Sequence, residues 1–337
     1  MINDSASTPH RHRWLGYYSM VLGIGGLAGA WGTAAAFGAP TLVALVLDIL
    51  CLVAWLVVTA MYFRHGAIRR NGFSTDLRHT EQGFATAYIP VIPLVLLAHA
   101  APHFQAGRYL DLAVMSAWAL VTAALVAHWI TTPRELASIH PGFSMPVVAG
   151  PFIAGISLQT YGWHQLAEGM FVLGAFFWLM FATLITHRLM IGVPLSDRRF
   201  PTLAVLMVPP ATGSIAWFTL HGNRITELAI GLATVLAMMA LIQLFIVPEY
   251  VRRGFTMSAW VFSFPVAASA NTVAHWRLAA PTPLSAILAW TALVVATAVI
   301  GLLAVLTVSR ALSARRIATF ETRNRTEPLS ASLRSPV

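Results

Sequence analysis

The side chains able to do chemistry in this sequence are sparse and far apart. His140 and His187 stand alone, with no His-Glu-x-x-His spacing and no paired carboxylates near them. Without such a cluster no acid and base can share a proton and no ligand set can hold a metal, which argues against an enzyme and calls for no cofactor. The single cysteine, Cys51, lies inside an apolar run, so neither a disulfide framework nor a cysteine-based metal cluster is expected. Asp48 is an acid set well inside an apolar stretch. Such a carboxylate is either the proton site of a coupled carrier, or a hydrogen-bond partner between helices or at the outer interface. Gln243 is read in the same way.

The elements that must position these groups are membrane helices. With 58% hydrophobic and 10% charged residues and a mean hydropathy of +0.72, the chain cannot present the polar surface of a soluble globule. The +9 charge is the excess of 21 arginines, with no lysine, over 12 acidic residues. It is concentrated in loops and tails, which points to topology or phospholipid contact, and no nucleic-acid motif accompanies it.

A crossing helix needs about 20 apolar residues. Ten segments supply them, roughly 14–37, 41–63, 84–101, 109–130, 145–162, 165–187, 200–220, 225–247, 257–276 and 284–308. His-Arg-His-Arg precedes the first without a small-residue cleavage site, so that segment reads as a retained span. Connections after odd-numbered segments are short and those after even-numbered ones carry most of the charge, so the spans pair as five hairpins. All ten are expected to be helices, because an open sheet edge cannot be satisfied in lipid.

Arginine placement orients the chain. Only Arg108, Arg224 and Arg277 fall on the side opposite the termini, and the other eighteen, from Arg11 to Arg334, lie in the tails and the even-numbered loops. The positive-inside rule therefore puts both termini in the cytoplasm. The organisation is a tail over 1–13, a ten-helix domain over 14–308 and a polar tail over 309–337, disordered beyond a short helical extension.

The odd-numbered segments share a proline pattern. Gly83-Phe84 leads to Pro90 and Pro93, Gly142-Phe143 to Pro146 and Pro151, Phe200 to Pro209 and Pro210, and Gly254-Phe255 to Pro265. At 1.5 Å per residue the farther prolines fall about 13–15 Å into a core about 30 Å thick. Segment 1 uses glycines instead, among them Gly25, which also permit close approach. Proline removes one helix hydrogen bond, so each position reads as a bend, and Phe264-Pro265 as a bend facing an internal space. Segments 8 and 10 are rich in Leu, Val, Ile and Ala and read as an outer layer. The expected fold is all-α, with an inner ring of five bent helices around a pathway and five straighter helices outside.

Tyr17-Tyr18 to Gly26, Phe200-Pro201-Thr202 to Pro209-Pro210, and Trp260 to Phe264 resemble the tellurite-resistance/dicarboxylate transporter family. That family includes bacterial tellurite-resistance channel homologues, fungal malate carriers and sulfite efflux pumps, and plant guard-cell slow anion channels. The resemblance covers essentially the whole membrane region. It implies a homotrimer in a bacterial-type inner membrane, with one anion pathway per protomer lined by the five odd-numbered helices. It also implies occlusion by a phenylalanine on the ninth helix, here Phe264, and Pro265 directly after it resembles the plant channels more than the bacterial ones.

No odd-numbered segment carries Asp, Glu or Arg in its interior, and a weak site suits conduction, since an ion must leave as readily as it enters. Ser157, Thr212, Ser214, Ser263, Ser269, Asn271 and Thr272 are the candidate lining groups, or else they satisfy their own helix or a neighbour. Arginines before most odd-numbered segments offer a positive mouth, although topology alone demands them. His99, His164, His221 and His275 sit at the far ends of four odd-numbered segments. Imidazole has an ordinary pKa near 6.5, so these four are expected to favour anion capture as the outside acidifies, unless they are plain interfacial residues. The expected function is passive passage of small inorganic or organic anions. The alternative is a proton-coupled carrier or efflux pump for a four-carbon dicarboxylate, sulfite or tellurite-type oxyanion.

Overall fold

A computed structural model describes residues 9–67, 72–80 and 82–326. Arg69, Arg70, Arg334 and the outermost parts of both tails lie outside these residues. Ten helical rods follow in order: α1 (Pro9–Ala35), α2 (Thr41–Tyr62), α3 (Gly83–Ala100), α4 (Gln105–Thr131), α5 (Pro141–Thr160), α6 (His164–Ile191), α7 (Phe200–Leu220) and α8 (Glu227–Arg253). They are completed by α9 (Met257–Phe262 continuing as Ser263–Ala279) and α10 (Pro283–Thr326). No strand occurs among the described residues. α1 already begins at Pro9 and α10 continues as helix to Thr326, so the helical extension after residue 308 is longer than the polar composition of that stretch led one to expect.

Eight rods, α2 to α8 and α10, are long and apolar enough to cross a membrane by length and composition. α1 and α9 fall short because they replace large apolar side chains with Gly, Ala and Ser. The exchange serves packing. A methyl group at Gly23 would overlap the Ser263 side chain, and one at Gly26 would stand 3.0 Å from Cδ2 of Phe264, so α1 and α9 meet nearly backbone to backbone.

The rods form two layers. α1, α3, α5, α7 and α9 touch one another in cyclic order, α1 to α3, α3 to α5, α5 to α7, α7 to α9 and α9 back to α1. Outside them, α2 packs on α1 and α3, α4 on α3 and α5, α6 on α5 and α7, α8 on α7, and α10 on α9 and α1. Burial follows the same division. In α5, 94% of the apolar stretch is buried, against 11% in α6. Outer helices expose residues such as Ile130, Met190 and Phe245, which lipid or another chain can cover at no hydrophobic cost.

The expected proline bends take the form of changes in helix type. α3 winds as a 3-10 helix over Gly83–Ala87 and as an α-helix from Tyr88, so Pro90 stands in the first α-turn while Pro93 is internal. α5 passes through a π turn, Met145–Ala149, before its α-helix begins at Gly150 with Pro151 next. α7 is a 3-10 helix over Phe200–Met207, then α-helical with Pro209 and Pro210 in its first turn. α9 changes in the same way just before Pro265. A first-turn proline lacks an N–H that the α-pattern does not use there, so the break falls where it costs least. α1 runs as unbroken α-helix through Gly25, where a methyl would lie 3.1 Å from Sγ of Cys51 and 3.4 Å from Val95. Gly25 is thus a close-contact position between α1, α2 and α3.

Candidate functional site

Two small cavities lie along the axis of the inner ring, with Phe264 in the wall of both. The larger, about 60 Å³, is bounded by residues of all five inner helices: Gly26 and Gly29 of α1, Val95 and His99 of α3, Ile153 and Ile156 of α5, Thr212 and Ile215 of α7, and Phe264, Ala268 and Asn271 of α9. The smaller, about 10 Å³, lies on the arginine-rich side of the ring and also touches all five, through Ser19, Tyr88, Met145, Val205 and Pro265 among others. Phe264 is 6% exposed. Its position follows from local winding, since the 3-10 to α change at Ser263 sets the ring at the first turn of the α-helix, and glycine at position 26 makes room for it.

A much larger groove lies elsewhere. A groove of about 680 Å³ runs between α2 and α4 over the outer face of α3, walled by apolar residues including Trp55, Leu97 and Val114. Pro90 and Pro93 face this groove and not the axis. With no polar group convergent on it, the groove has nothing to hold an ion, so size does not mark the site here.

The hydroxyls sort by direction. Thr212 and Asn271 line the axial cavity. Thr212 donates to its own helix at Val208 O, 2.8 Å, while Oδ1 of Asn271 is buried with no hydrogen-bond partner among the described residues. Ser157 points the other way, donating to Oδ1 of Asp111 on α4 at 2.6 Å. Ser214 donates to Pro210 O and Ser269 to Pro265 O, 2.7 Å each. Ser263 bonds Trp260 O within α9 and reaches Ser19 O on α1. Thr272 is shared between Ala268 O and Ala211 O of α7, 3.0 Å each. These last four brace helices, as small hydroxyls in lipid commonly do.

The four histidines do not converge. His164 donates to Gln159 Oε1 (2.8 Å), His221 to Trp217 O (3.0 Å) while stacked on the Trp217 ring, and His275 to Asn223 Oδ1 (2.7 Å). Only His99 reaches the axial cavity. Its Nδ1–H donates to Oδ1 of Asp48 on α2 at 2.7 Å. The acid met inside an apolar stretch and one of the outer histidines are therefore a single pair, joining an outer helix to the axis.

Other polar groups are structural. Gln243 donates to Leu203 O on α7 and accepts from Tyr250. Arg134 bonds Thr80 O, Arg188 bonds Ile139 O and Val193 O, and Arg199 bonds Ala137 O. Arg253 pairs with Asp197 and Glu249 over the Phe200 ring. These arginines brace loops. Asp111 is the residue that sequence reasoning passed over. It lies in the first turn of the α-helical part of α4, which starts at Arg108, yet it is fully buried against Ser157 with Oδ2 unpartnered among the described residues.

Over 268 residues the chain is 25% identical to the tellurite resistance protein TehA homolog of Haemophilus influenzae, covering 76% of this chain and 79% of that one. It is 25% identical to the S-type anion channel SLAH4 of Arabidopsis thaliana over 53% of this chain, and 24% identical to the guard cell S-type anion channel SLAC1 of the same plant over 66%. These matches span 51% and 41% of the plant channels' own length. The family model described as voltage-dependent anion channel matches residues 13–308, nearly the whole helical bundle. The chain is a multi-span membrane protein of the voltage-dependent anion channel family.

Proposed function

We propose that this protein passes small inorganic or organic anions through the inner ring of five helices, and that Phe264 closes the passage at rest. The observation that carries the reading is one side chain standing between two axial cavities, each bounded by all five inner helices. Neither cavity is lined by Asp, Glu or Arg among the described residues, which fits conduction, because a site that held an anion tightly would not release it. In this reading all ten rods cross the membrane as five hairpins, α1 and α9 included, and both termini face the cytoplasm of a bacterial-type cell. Three protomers associate through the outer layer, each with its own pathway.

The test is anion current through the purified protein in planar bilayers, wild type against Phe264→Ala, in gradients of chloride, nitrate, sulfite and malate. The expected result is a large gain in the variant, reversing near the anion equilibrium potential. Each ~1.4 kcal/mol of barrier that the ring contributes is worth about tenfold in current. Silence in both forms would overturn the reading. A second reading, proton-coupled transport of a dicarboxylate, sulfite or tellurite-type oxyanion, is favoured by one observation, the Asp48–His99 pair at the axial cavity. Under it, Asp48→Asn abolishes proton-driven uptake into vesicles while Phe264→Ala gives no uncoupled current.

A further inference from the structure

We propose that His99, positioned by Asp48, is the anion-binding group of the axial cavity beyond Phe264, and that it holds an anion only when its imidazole is protonated. The inference rests on the reading that anions travel this axis. The Asp48 carboxylate accepts from Nδ1–H at 2.7 Å, which fixes the tautomer and leaves Nε2 as the free ring nitrogen. Nε2 is turned to the axis. A methyl at Gly29, a residue of the cavity wall, would stand 2.8 Å from Nε2 of His99 and 3.3 Å from Nδ2 of Asn271. Imidazole and amide therefore flank one spot, and Nε2 makes no hydrogen bond among the described residues.

The chemistry of this spot depends on one proton. With the imidazole neutral, Nε2 offers a lone pair to the cavity and the Asp48 carboxylate contributes an uncancelled negative charge behind it, so both features repel an anion. Protonation turns Nε2 into a donor and cancels the carboxylate, and the Asn271 amide then supplies a second donor beside it. His99 also lies in the last turn of α3, where the helix end favours a cation. Other groups facing the pair do not compete. Asp48 and the buried Cys51 thiol come from α2, and Cys51 is engaged with Val21 O of α1. The remaining cavity wall from α1, α5, α7 and α9 contains no ionisable side chain among the described residues. Anion entry from the side away from the arginine-rich loops should therefore quicken as that side is acidified.

The experiment measures nitrate current in the Phe264→Ala background while the pH on that side is stepped from about 8 to about 5. The expected gain is on the order of tenfold, the size of effect that one uncancelled charge exerts at several ångströms through partly hydrated protein. Adding His99→Gln should flatten the profile. Asp48→Leu should weaken the response, because the imidazole loses the acceptor that fixes its tautomer and orients its ring. The triple variant His164→Gln, His221→Gln, His275→Gln should respond like its parent. A pH response that survives His99→Gln, or that disappears in the triple variant, overturns the inference while leaving the pathway intact. Should His99→Gln not reach the membrane, Asp48→Leu carries the test, and a response as large as the parent's overturns the inference. If Phe264→Ala itself conducts nothing at any pH, the pathway reading fails and this inference with it.

Discussion

At the scale of single residues, burial and direction decide function more than residue type does. Ser157 and Thr212 are both small hydroxyls on inner helices, yet Ser157 faces outward to Asp111 and Thr212 faces the axis. Ser157→Ala would leave the fully buried Asp111 side chain without its one described partner, at a cost of about 1–3 kcal/mol. We expect a lower unfolding temperature in detergent for this variant. Its reversal potentials in the Phe264→Ala background should not move, because the hydroxyl never meets the axial cavity. A change in ion selectivity would place Ser157 on the pathway after all. Serine at this position offers no sequence cue to its direction, since it would satisfy either environment.

At the scale of elements, the fit between α1 and α9 holds Phe264 in place. Gly23 meets Ser263, the residue before the ring, and Gly26 meets the ring itself. Gly23→Ala must push the two helices apart, with an overpacking cost of about 1–3 kcal/mol. The expected outcome is both a lower unfolding temperature and a measurable leak current, because the seal and the helix contact are the same surface. Gly32→Ala is the control on the same helix. Its nearest neighbour, the Ala44 methyl, lies at 4.0 Å, and neither stability nor leak should change. The prolines tell a parallel story. Their recurrence was plain in the sequence, but the change from 3-10 or π winding to α winding was not, because one missing N–H is compatible with a kink, a bulge or a new helix start.

At the scale of the whole molecule, the outer layer must find partners. α2, α4, α6, α8 and α10 expose large apolar residues along most of their length, and native mass spectrometry in detergent should return the mass of three chains if protomers associate through this layer. A single-chain mass would refute the trimer. Topology has its own check, since the sole native cysteine, Cys51, is buried and gives little background in thiol labelling. A membrane-impermeant maleimide should label His103→Cys on intact cells and Ser196→Cys only after permeabilisation, with both positions exposed in the fold. The opposite pattern would invert the orientation read from the arginines.

The sequence alone determined that the chain is an all-helical membrane protein, and that helices with proline and small residues differ from those of Leu, Val and Ile. These properties are local. They depend on what a segment contains, and a bilayer reads composition directly. Only the tertiary structure decided that Asp48 and His99 are one pair, that Ser157 turns to Asp111, and that Pro90 and Pro93 face an outer groove. In water a helix reveals its buried face as an apolar stripe. In a bilayer both the lipid side and the packed side of a helix are apolar, so the rotation of each helix about its own axis leaves no stripe to read. That rotation is set by contacts such as Gly23 on Ser263 and Gly26 on Phe264, which exist only once α1 and α9 have met.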